Sequence, residues 1–390
     1  MWVRGMSDAI LVLAALSLAV WVYLLLFRGF FWLARLPTSA PPPARWPSVV
    51  AVVPARNEAA VVGEAVASLL AQDYPGRFSI VLVDDHSEDG TAATAREAAA
   101  STGKSERLTV LGAQPLPKGW TGKLWALAEG LRQVEERGEP PELFLFTDAD
   151  IAHHPSNLAE LVARLDAERR DLVSVMVRLR CQSWAERFTI PAFVFFFAML
   201  YPFAWSNDPR KRTAAAAGGC ALLRRSAYRR IGGFAALKGA LIDDCALAKA
   251  VKESGGSIWL GLTRETRSLR PYPHLGDIWR MVARTAYAQL RYSPWLLAGT
   301  VLGLAVTYLA PPALAVTGGA AAGWLALAAW AAMSLAYVPM VLFYGVSPLW
   351  APLLPATALV YLAATLDSAR RYWQGAGGEW KGRVEWRSQH

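Results

Sequence analysis

The chain has 390 residues, of which 54% are hydrophobic, and its mean hydropathy is positive. This composition is rich for a soluble protein, and the long apolar runs lie in two regions, residues 1–47 and 293–373, around a middle of ordinary globular composition. The formal net charge is +9, but no nucleic-acid-binding motif is present and the basic residues are not gathered in one helix, which excludes nucleic acid as the expected partner. We interpret the charge as that of a membrane protein with an anionic substrate.

The first 36 residues predict a retained membrane anchor. Residues 9–27 form an uncharged apolar run of spanning length, and a bulky segment follows it where a signal peptide would have a small-residue cleavage site. Arg28, Arg35 and Arg45 follow this run, against Arg4 before it, so the positive-inside rule places the middle of the chain in the cytoplasm. Residues 37–47 are a proline-rich linker.

Four strands, each followed by a helical pattern, are predicted in the first half of the middle domain, residues 48–292. The strands are 49–53, 79–83, 107–112 and 143–147, and the helical patterns begin near residues 57, 91, 121 and 155. Alternating strands and helices predict an α/β fold, with a mostly parallel sheet and helices on both faces.

Polar clusters follow three of these strands: residues 54–58, the Asp84–Asp85 pair, and Asp148 with Asp150. Ligands bind at the carboxyl ends of parallel strands, so the clusters predict one shared site rather than three solvated loop starts. If the fourth strand continues past Thr147, Asp148 and Asp150 point the same way, which requires a cation or a proton between them. The chain has no GxGxxG after its first strand and no GxxxxGK[ST], which argues against dinucleotide oxidoreductases and P-loop enzymes.

Six motifs, in chain order, resemble those of the family 2 glycosyltransferases with the GT-A fold. They are VVPARNEA, VDDHSEDGT, TGKLWALAEG, FTDAD, GGCALLRR and IDDCALA, all within residues 48–292. The flanking apolar segments and the tail RRYWQGAGGEWKGRVEW most resemble the hopene-associated glycosyltransferases. The resemblance implies an inverting sugar transfer from a nucleotide-sugar donor.

The resemblance also implies a nucleotide site formed by residues that directly follow the first two strands. Asp84 or Asp85 would accept hydrogen bonds from the base and ribose, and Lys123 would meet the diphosphate. The other implied nucleotide contacts are Pro54, Arg56, Glu58 and Asp148. An acidic turn is the alternative for the Asp84–Asp85 pair, and a solvated side chain is the alternative for Lys123.

Asp148 and Asp150 match the family's DxD motif, which implies a Mg²⁺ or Mn²⁺ ion shared with the donor phosphates, with Asp150 as the direct ligand. Asp244 matches the catalytic base, and Asp243 stands where the family usually has glutamate; helix capping is the alternative. Gly218 and Gly219 would let the backbone approach the donor sugar, unless they form an ordinary turn.

Arg284 would contact the diphosphate. It survives from the QxxRW motif of polymerising relatives, whereas Met281 and Thr285 replace glutamine and tryptophan, which favours a single transfer over polymerisation. The histidines are interpreted as structural: His153, His154 and His274. The three cysteines form no CxxC pair, so neither a zinc site nor a disulfide framework is predicted.

The C-terminal region, residues 293–368, offers three apolar segments near 295–317, 321–343 and 346–366. The basic tail, residues 369–390, indicates a cytoplasmic end, which requires an even number of crossings after the catalytic domain. One of the three segments is therefore re-entrant or interfacial. A further apolar stretch, residues 188–205, is interpreted as a segment at the membrane interface.

Together these features predict a multi-pass enzyme of a bacterial-type inner membrane, with its catalytic domain on the cytoplasmic face. It would use a nucleotide sugar and Mg²⁺ or Mn²⁺ to glycosylate a membrane lipid, such as a hopanoid or another isoprenoid. The alternatives are a polyprenyl-phosphate glycosyltransferase or polysaccharide synthase, and a non-catalytic membrane scaffold or lipid-binding protein. Donor sugar, nucleotide, acceptor and oligomeric state stay open.

Overall fold

An eight-stranded sheet forms the centre of the molecule in a computed structural model that describes residues 2–136, 140–375, 379–380 and 383–384. Its strands are β1 Val49–Ala55, β2 Phe78–Asp84, β3 Leu108–Gly112, β4 Leu143–Thr147, β5 Ile151–Ala152, β6 Leu172–Arg178, β7 Cys220–Arg224 and β8 Ile258–Ser268. They lie in the order β3-β2-β1-β4-β7-β6-β8-β5. A separate two-stranded hairpin, β9 Glu379–Trp380 with β10 Arg383–Val384, lies in the tail.

The helices of the middle region are α2 Ala59–Leu70, α3 Thr91–Ser101, α4 Gly122–Glu136, α5 Asn157–Ala167, α6 Trp184–Leu200, α7 Phe203–Asn207, α8 Arg225–Arg230, α9 Asp243–Glu253 and α10 Leu275–Gln289. The flanking helices are α1 Trp2–Phe27, α11 Pro294–Leu304, α12 Ala310–Thr317, α13 Gly319–Phe343 and α14 Leu354–Trp373. A π-helical segment, Ala305–Leu309, joins α11 to α12, and a 3₁₀ helix, Pro348–Leu353, precedes α14.

Helices cover both faces of the sheet, as the alternating pattern predicts. Along β1, Val49, Ala51 and Val53 face a core formed with α2, α3 and α5, whereas Val50 and Val52 face a core formed with α4, α8 and α9. This alternation explains why β1 is an unbroken apolar run. β1 to β4 are parallel to one another, as expected.

The other half of the sheet is mixed, because β7 runs antiparallel to both β4 and β6. After β6 the chain leaves at the carboxyl edge of the sheet and forms α6 and α7. It re-enters at the same edge, so β7 has to run in the opposite direction. β8 is again parallel to β6, and its carboxyl end therefore lies at the edge where β1 and β4 end.

Four helical segments are long and apolar enough to cross a membrane within the described part of the chain. They are Met6–Phe27, Pro294–Thr317, Gly319–Phe343 and Pro348–Trp373. α6 packs against the helices that supply these segments, with Phe195 buried against Tyr337 of α13 and Phe31 just after α1. The interfacial position of residues 188–205 and the division of the chain into domains stay predictions.

The last of these segments leaves the middle domain and returns to it. Near its start, the carbonyl of Tyr344 accepts a hydrogen bond from Arg178 at the end of β6, at 3.2 Å. In its opening 3₁₀ helix, the carbonyl of Pro352 accepts a hydrogen bond from Trp330 of α13 at 3.0 Å. Near its end, Asp367 accepts a hydrogen bond from Trp279 of α10 at 2.9 Å. Both ends therefore lie against the middle domain, residues 48–292.

Candidate active site

The DxD residues lie in a turn rather than on a strand. β4 ends at Thr147, and the backbone N–H of Ile151 donates to the carbonyl of Asp148 at 3.3 Å before β5 begins. The strand does not continue past Thr147, so the condition under which strand alternation would align Asp148 with Asp150 is not met. Both carboxylates nevertheless face one cavity, which the turn allows by reversing the chain between them.

Lys123, in the first turn of α4, joins the DxD residues to the pair of acids that begins α9. Its Nζ lies 2.9 Å from Asp148 and 3.2 Å from Asp243. Burial raises the pKa of Asp148, and the ammonium of Lys123 opposes this effect. Lys123 is therefore not a solvated side chain, and it supplies positive charge between the two acidic pairs.

Asp244 is held by two backbone N–H groups. Its Oδ1 accepts from Cys245 at 2.7 Å, and its Oδ2 accepts from Gly218 at 2.8 Å. Burial, followed by the nearby charge of Asp243, raises the pKa of Asp244 to about 6, which lies close to the working range of a general base. The two donors fix the orientation of the carboxylate at the cavity wall.

The two glycines of the 217–220 turn face different ways. A Cβ on Gly218 would lie 3.0 Å from the Nζ of Lys123 and 3.3 Å from Oδ2 of Asp244, so only glycine leaves these groups in place. A Cβ on Gly219 would instead lie 2.9 Å from the side chain of Val177. Gly218 therefore faces the site, and Gly219 faces the core.

Arg270 belongs to the site although sequence reasoning missed it. Its Nε lies 2.7 Å from Asp150 and its Nη2 lies 2.5 Å from Glu58. The residue follows β8 by two positions, at the carboxyl edge of the sheet. A strand predicted over residues 258–268 would have pointed to Arg270, because a cation just after that strand lies at the same sheet edge as the acidic residues.

A cavity of about 440 Å³ collects most of these side chains. The predicted site residues that line it are Pro54, Glu58, Lys123, Asp148, Asp150, Asp243 and Arg284. A smaller pocket beside it, with Lys123 and Asp148 in common, adds Gly218 and Asp244. α10 contributes a second basic residue, Arg280, which pairs with Asp277 at 2.5 Å.

The Asp84–Asp85 pair and Arg56 line neither of these two pockets. Asp84 accepts a hydrogen bond from the backbone N–H of Ser87 at 3.1 Å, as an acidic turn residue does. Asp85 is fully buried, and its carboxylate lies 3.9 Å from Arg56. This cluster lies at the ends of β1 and β2, next to Pro54 and Glu58, so it adjoins the cavity along the same sheet edge.

The histidines hold structure together. His153 is buried, and desolvation lowers its pKa to about 3, so it is neutral at working pH. It lies in a hydrogen-bond chain, here called the His153 chain, with links of 3.1 Å to Asn157 and 2.8 Å to Thr147, and a further 2.8 Å from Thr147 to the carbonyl of Gly219. His154 lies 3.3 Å from Glu265 at the surface, and His274 caps α10.

The site suits a metal ion shared with substrate rather than one enclosed by protein. The described residues include no group of three or more histidine, cysteine or acidic side chains placed to hold an ion. Asp148 and Asp150 supply two carboxylates on the wall of a cavity that has room for further oxygen ligands. Mg²⁺ is commonly bound in this way, through one or two carboxylates and the phosphates of a substrate.

Solved structures with a similar fold include a mannosyltransferase from Pyrobaculum calidifontis in complex with GDP-Man and Mn²⁺. It is 23% identical, covers 92% of this chain and 99% of its own, and has a TM-score of 0.60. A mannosyl-3-phosphoglycerate synthase from Rubrobacter xylanophilus is 24% identical, with 63% of this chain and 72% of its own covered and a TM-score of 0.40. No curated protein sequence matches the chain significantly.

Family profiles match the chain over its catalytic region and beyond it. Residues 50–232 match Glycosyl transferase family 2. Residues 143–364, more than half of the chain, match Glycosyl transferase family group 2. With the GT-A fold and an acidic site at the carboxyl edge of its sheet, the chain belongs to the family 2 glycosyltransferases.

Proposed function

We propose that this protein is an inverting, metal-dependent glycosyltransferase that transfers a sugar from a nucleotide-sugar donor to a membrane lipid. One observation carries the proposal: Lys123 bridges Asp148 of the DxD turn and Asp243, next to Asp244, in adjoining pockets. A donor diphosphate at the DxD turn would then place its sugar between that turn and Asp244. This is the arrangement that attack by an activated acceptor hydroxyl requires.

Each side chain has a defined task in this mechanism. Asp244 removes the proton from the acceptor hydroxyl, and the N–H groups of Gly218 and Cys245 keep its carboxylate aimed at the cavity. Lys123 binds the diphosphate as negative charge grows on the leaving group. Asp148 and Asp150 would hold Mg²⁺ or Mn²⁺, which neutralises charge on the departing nucleoside diphosphate.

A lipid acceptor is supported by the place of the cavity beside the apolar helices. α10 lines the cavity with Met281 and Arg284, and an adjacent face of the same helix packs on α14 through Ile278 and Ala364. An acceptor anchored in the bilayer next to these helices reaches Asp244 without leaving the membrane. A hopanoid or another isoprenoid is the acceptor class that the C-terminal resemblance implies.

The membrane topology that we propose has three crossings, through α1, α11–α12 and α13. The segment from Pro348 to Trp373 starts and finishes against the catalytic domain, so it is re-entrant and does not change sides. Two crossings then follow the catalytic domain, and the basic tail lies on the same side as that domain. The positive-inside rule makes this the cytoplasmic side of an inner membrane.

Direct assay of lipid products tests the proposed function. Purified full-length protein in native lipid is incubated with labelled GDP- and UDP-sugars and with Mn²⁺ or Mg²⁺, and the extracted lipids are analysed by mass spectrometry. We expect one donor to yield a lipid heavier by one sugar, and a metal chelator to abolish the product. Failure to bind any nucleotide sugar, with or without metal, would instead identify a non-catalytic scaffold.

A polyprenyl-phosphate acceptor is the second candidate, and two cations on the cavity wall favour it. Arg280 and Arg284 lie one turn apart on α10 and both line the cavity, where they could meet an acceptor phosphate. A phosphate acceptor needs no base. Asp244→Asn is therefore expected to retain activity with a phosphate acceptor, and to lose about 10²–10⁴-fold with a hydroxyl acceptor.

A further inference from the structure

We propose that Arg270 competes with the metal ion for Asp150 and, once a nucleoside diphosphate binds, moves to that diphosphate and positions it. The metal would accordingly bind well only together with the donor. This inference rests on the donor site proposed above and adds a residue and an order of binding to it.

The contacts of Arg270 place its positive charge next to an oxygen of Asp150, the proposed metal ligand. Its guanidinium bridges two largely buried carboxylates, Asp150 at 2.7 Å and Glu58 at 2.5 Å. Both carboxylates line the cavity that also contains Asp148. The contacted oxygen of Asp150 is Oδ2. A dication that uses this oxygen has to displace the guanidinium, or else bind close to its positive charge.

The backbone that carries Arg270 is fixed, so the competition is a movement of the side chain alone. The N–H of Leu269 donates to the carbonyl of Asp150 at 2.7 Å. The N–H of Tyr272 donates to the buried carboxylate of Glu186 in α6 at 2.7 Å, and the carbonyl of Tyr272 accepts from Ser183 at 3.2 Å. Between these anchors the long arginine side chain can swing within the 440 Å³ cavity.

The ion pairs already present explain why a diphosphate would draw Arg270 away from Asp150. Before ligands bind, Lys123 pairs with Asp148 and Asp243, while Arg270 pairs with Asp150 and Glu58, so the carboxylates around the DxD turn already have cationic partners. A dication added alone meets the guanidinium that already holds Asp150, and the two cations repel each other at close range. A nucleoside diphosphate brings compensating negative charge and offers the guanidinium a bidentate partner.

Mn²⁺ binding without turnover tests the proposal. Full-length protein in detergent is titrated with Mn²⁺, alone or with GDP or UDP, and free Mn²⁺ is measured by electron paramagnetic resonance. The native chain is expected to bind Mn²⁺ alone weakly, and at least about tenfold more tightly with the matching diphosphate. Arg270→Gln is expected to bind Mn²⁺ alone about tenfold more tightly than the native chain, and to gain much less from the diphosphate.

Arg267→Gln is the matched control. Arg267 lies three residues earlier, pairs with Glu64 at 2.9 Å at the surface, and does not line the cavity, so its loss removes the same charge elsewhere. Arg270→Lys keeps the charge but replaces the forked guanidinium with a shorter side chain that ends in one ammonium, and it is expected to bind Mn²⁺ alone with intermediate affinity. It also serves if Arg270→Gln does not fold.

The inference is overturned if the Arg270 variants and Arg267→Gln bind Mn²⁺ with equal affinity in the absence of nucleotide. The proposed function would still stand in that case if all of these variants bind Mn²⁺ more tightly with the diphosphate. If the native chain and Arg267→Gln bind neither diphosphate in the presence of Mn²⁺, the proposed function itself fails.

Discussion

Asp244 must be ionised to act as a base, but its burial opposes ionisation. Its pKa is raised to about 6, first by burial and then by Asp243. A base must be deprotonated to act, so activity is lost as pH falls through this value. We expect kcat/KM to be about tenfold lower at pH 5 than on its plateau above pH 7, as measured by initial rates at subsaturating donor.

The neighbours of Asp244 provide the control for this pH profile. Asp243→Asn removes a like charge, so the acid limb should move to lower pH, whereas Lys123→Met removes an opposite charge, so the limb should move to higher pH. A limb that stays in place in both variants would show that another group titrates.

Gly218 is the residue at which a single methyl group should harm activity with little effect on folding. The Cβ of Gly218→Ala would press on Lys123 and Asp244, and we expect kcat to fall by at least about tenfold, because misplacement by a fraction of an ångström disturbs the reacting geometry. Gly112→Ala is the matched control, since a Cβ at Gly112 meets nothing within 4 Å. Equal rates for the two variants would remove Gly218 from the site.

At the scale of single residues, motif order anticipated which side chains share one cavity, while their individual roles stay predictions. Pro54, Lys123, Asp148, Asp150 and Asp243 all line the cavity as expected. Arg270 was not found, because its role depends on β8 being parallel to β6, a pairing between strands far apart in sequence. Which of two glycines faces the cavity likewise depends on packing against Val177, which no motif encodes.

Between elements, the His153 chain ties the end of β4 to the 217–220 turn. Asn157 donates to Nδ1 of His153, so Nε2–H donates to Thr147, which in turn donates to the carbonyl of Gly219. Thr147→Val leaves buried polar groups unpaired at both ends of the broken link. We expect it to cost about 1–3 kcal/mol of stability, seen as a lower thermal midpoint in detergent.

Thr102→Val provides the comparison for that measurement. The Thr102 hydroxyl bonds only the carbonyl of Ala99 within its own exposed helix end, so its removal should change the midpoint little. If the two variants unfold at the same temperature, the His153 chain does not stabilise the site.

At the scale of elements, local pattern was sufficient for β1 to β4 and their helices. The limits moved by one or two residues; α2 begins at Ala59, for example, because Asn57 adopts a left-handed backbone, with φ of 51°. Strand direction in the second half was beyond local pattern. It follows from where α6 and α7 return the chain, which is a tertiary property.

For the whole molecule, the proposed topology makes a prediction about which side each end of the bundle faces. A cysteine placed at Thr317, the last residue of α12, should react with a membrane-impermeant maleimide in intact cells. A cysteine at Gln374, after α14, should react only after the membrane is opened, because in the proposed topology the segment before it does not cross. The unsubstituted chain gives the background from Cys181, Cys220 and Cys245.

Labelling of the Gln374 cysteine in intact cells would mean that α14 spans the membrane. Hydropathy alone cannot decide this, since Pro348–Trp373 satisfies the same length and composition criteria as the other three segments. The contacts of Tyr344 and Asp367 with the catalytic domain carry the distinction, and they join residues more than 80 positions apart in sequence.

The proposed return of this last segment to its starting side would have a consequence for a lipid product. With donor, acceptor and catalytic domain on one face, as proposed, a new glycolipid would remain in the adjacent leaflet. Dragging a hydroxyl-rich headgroup through hydrocarbon is costly when nothing hydrates it on the way. Export to the opposite leaflet would therefore fall to a separate flippase, and synthesis and display of the sugar become two independently controllable events.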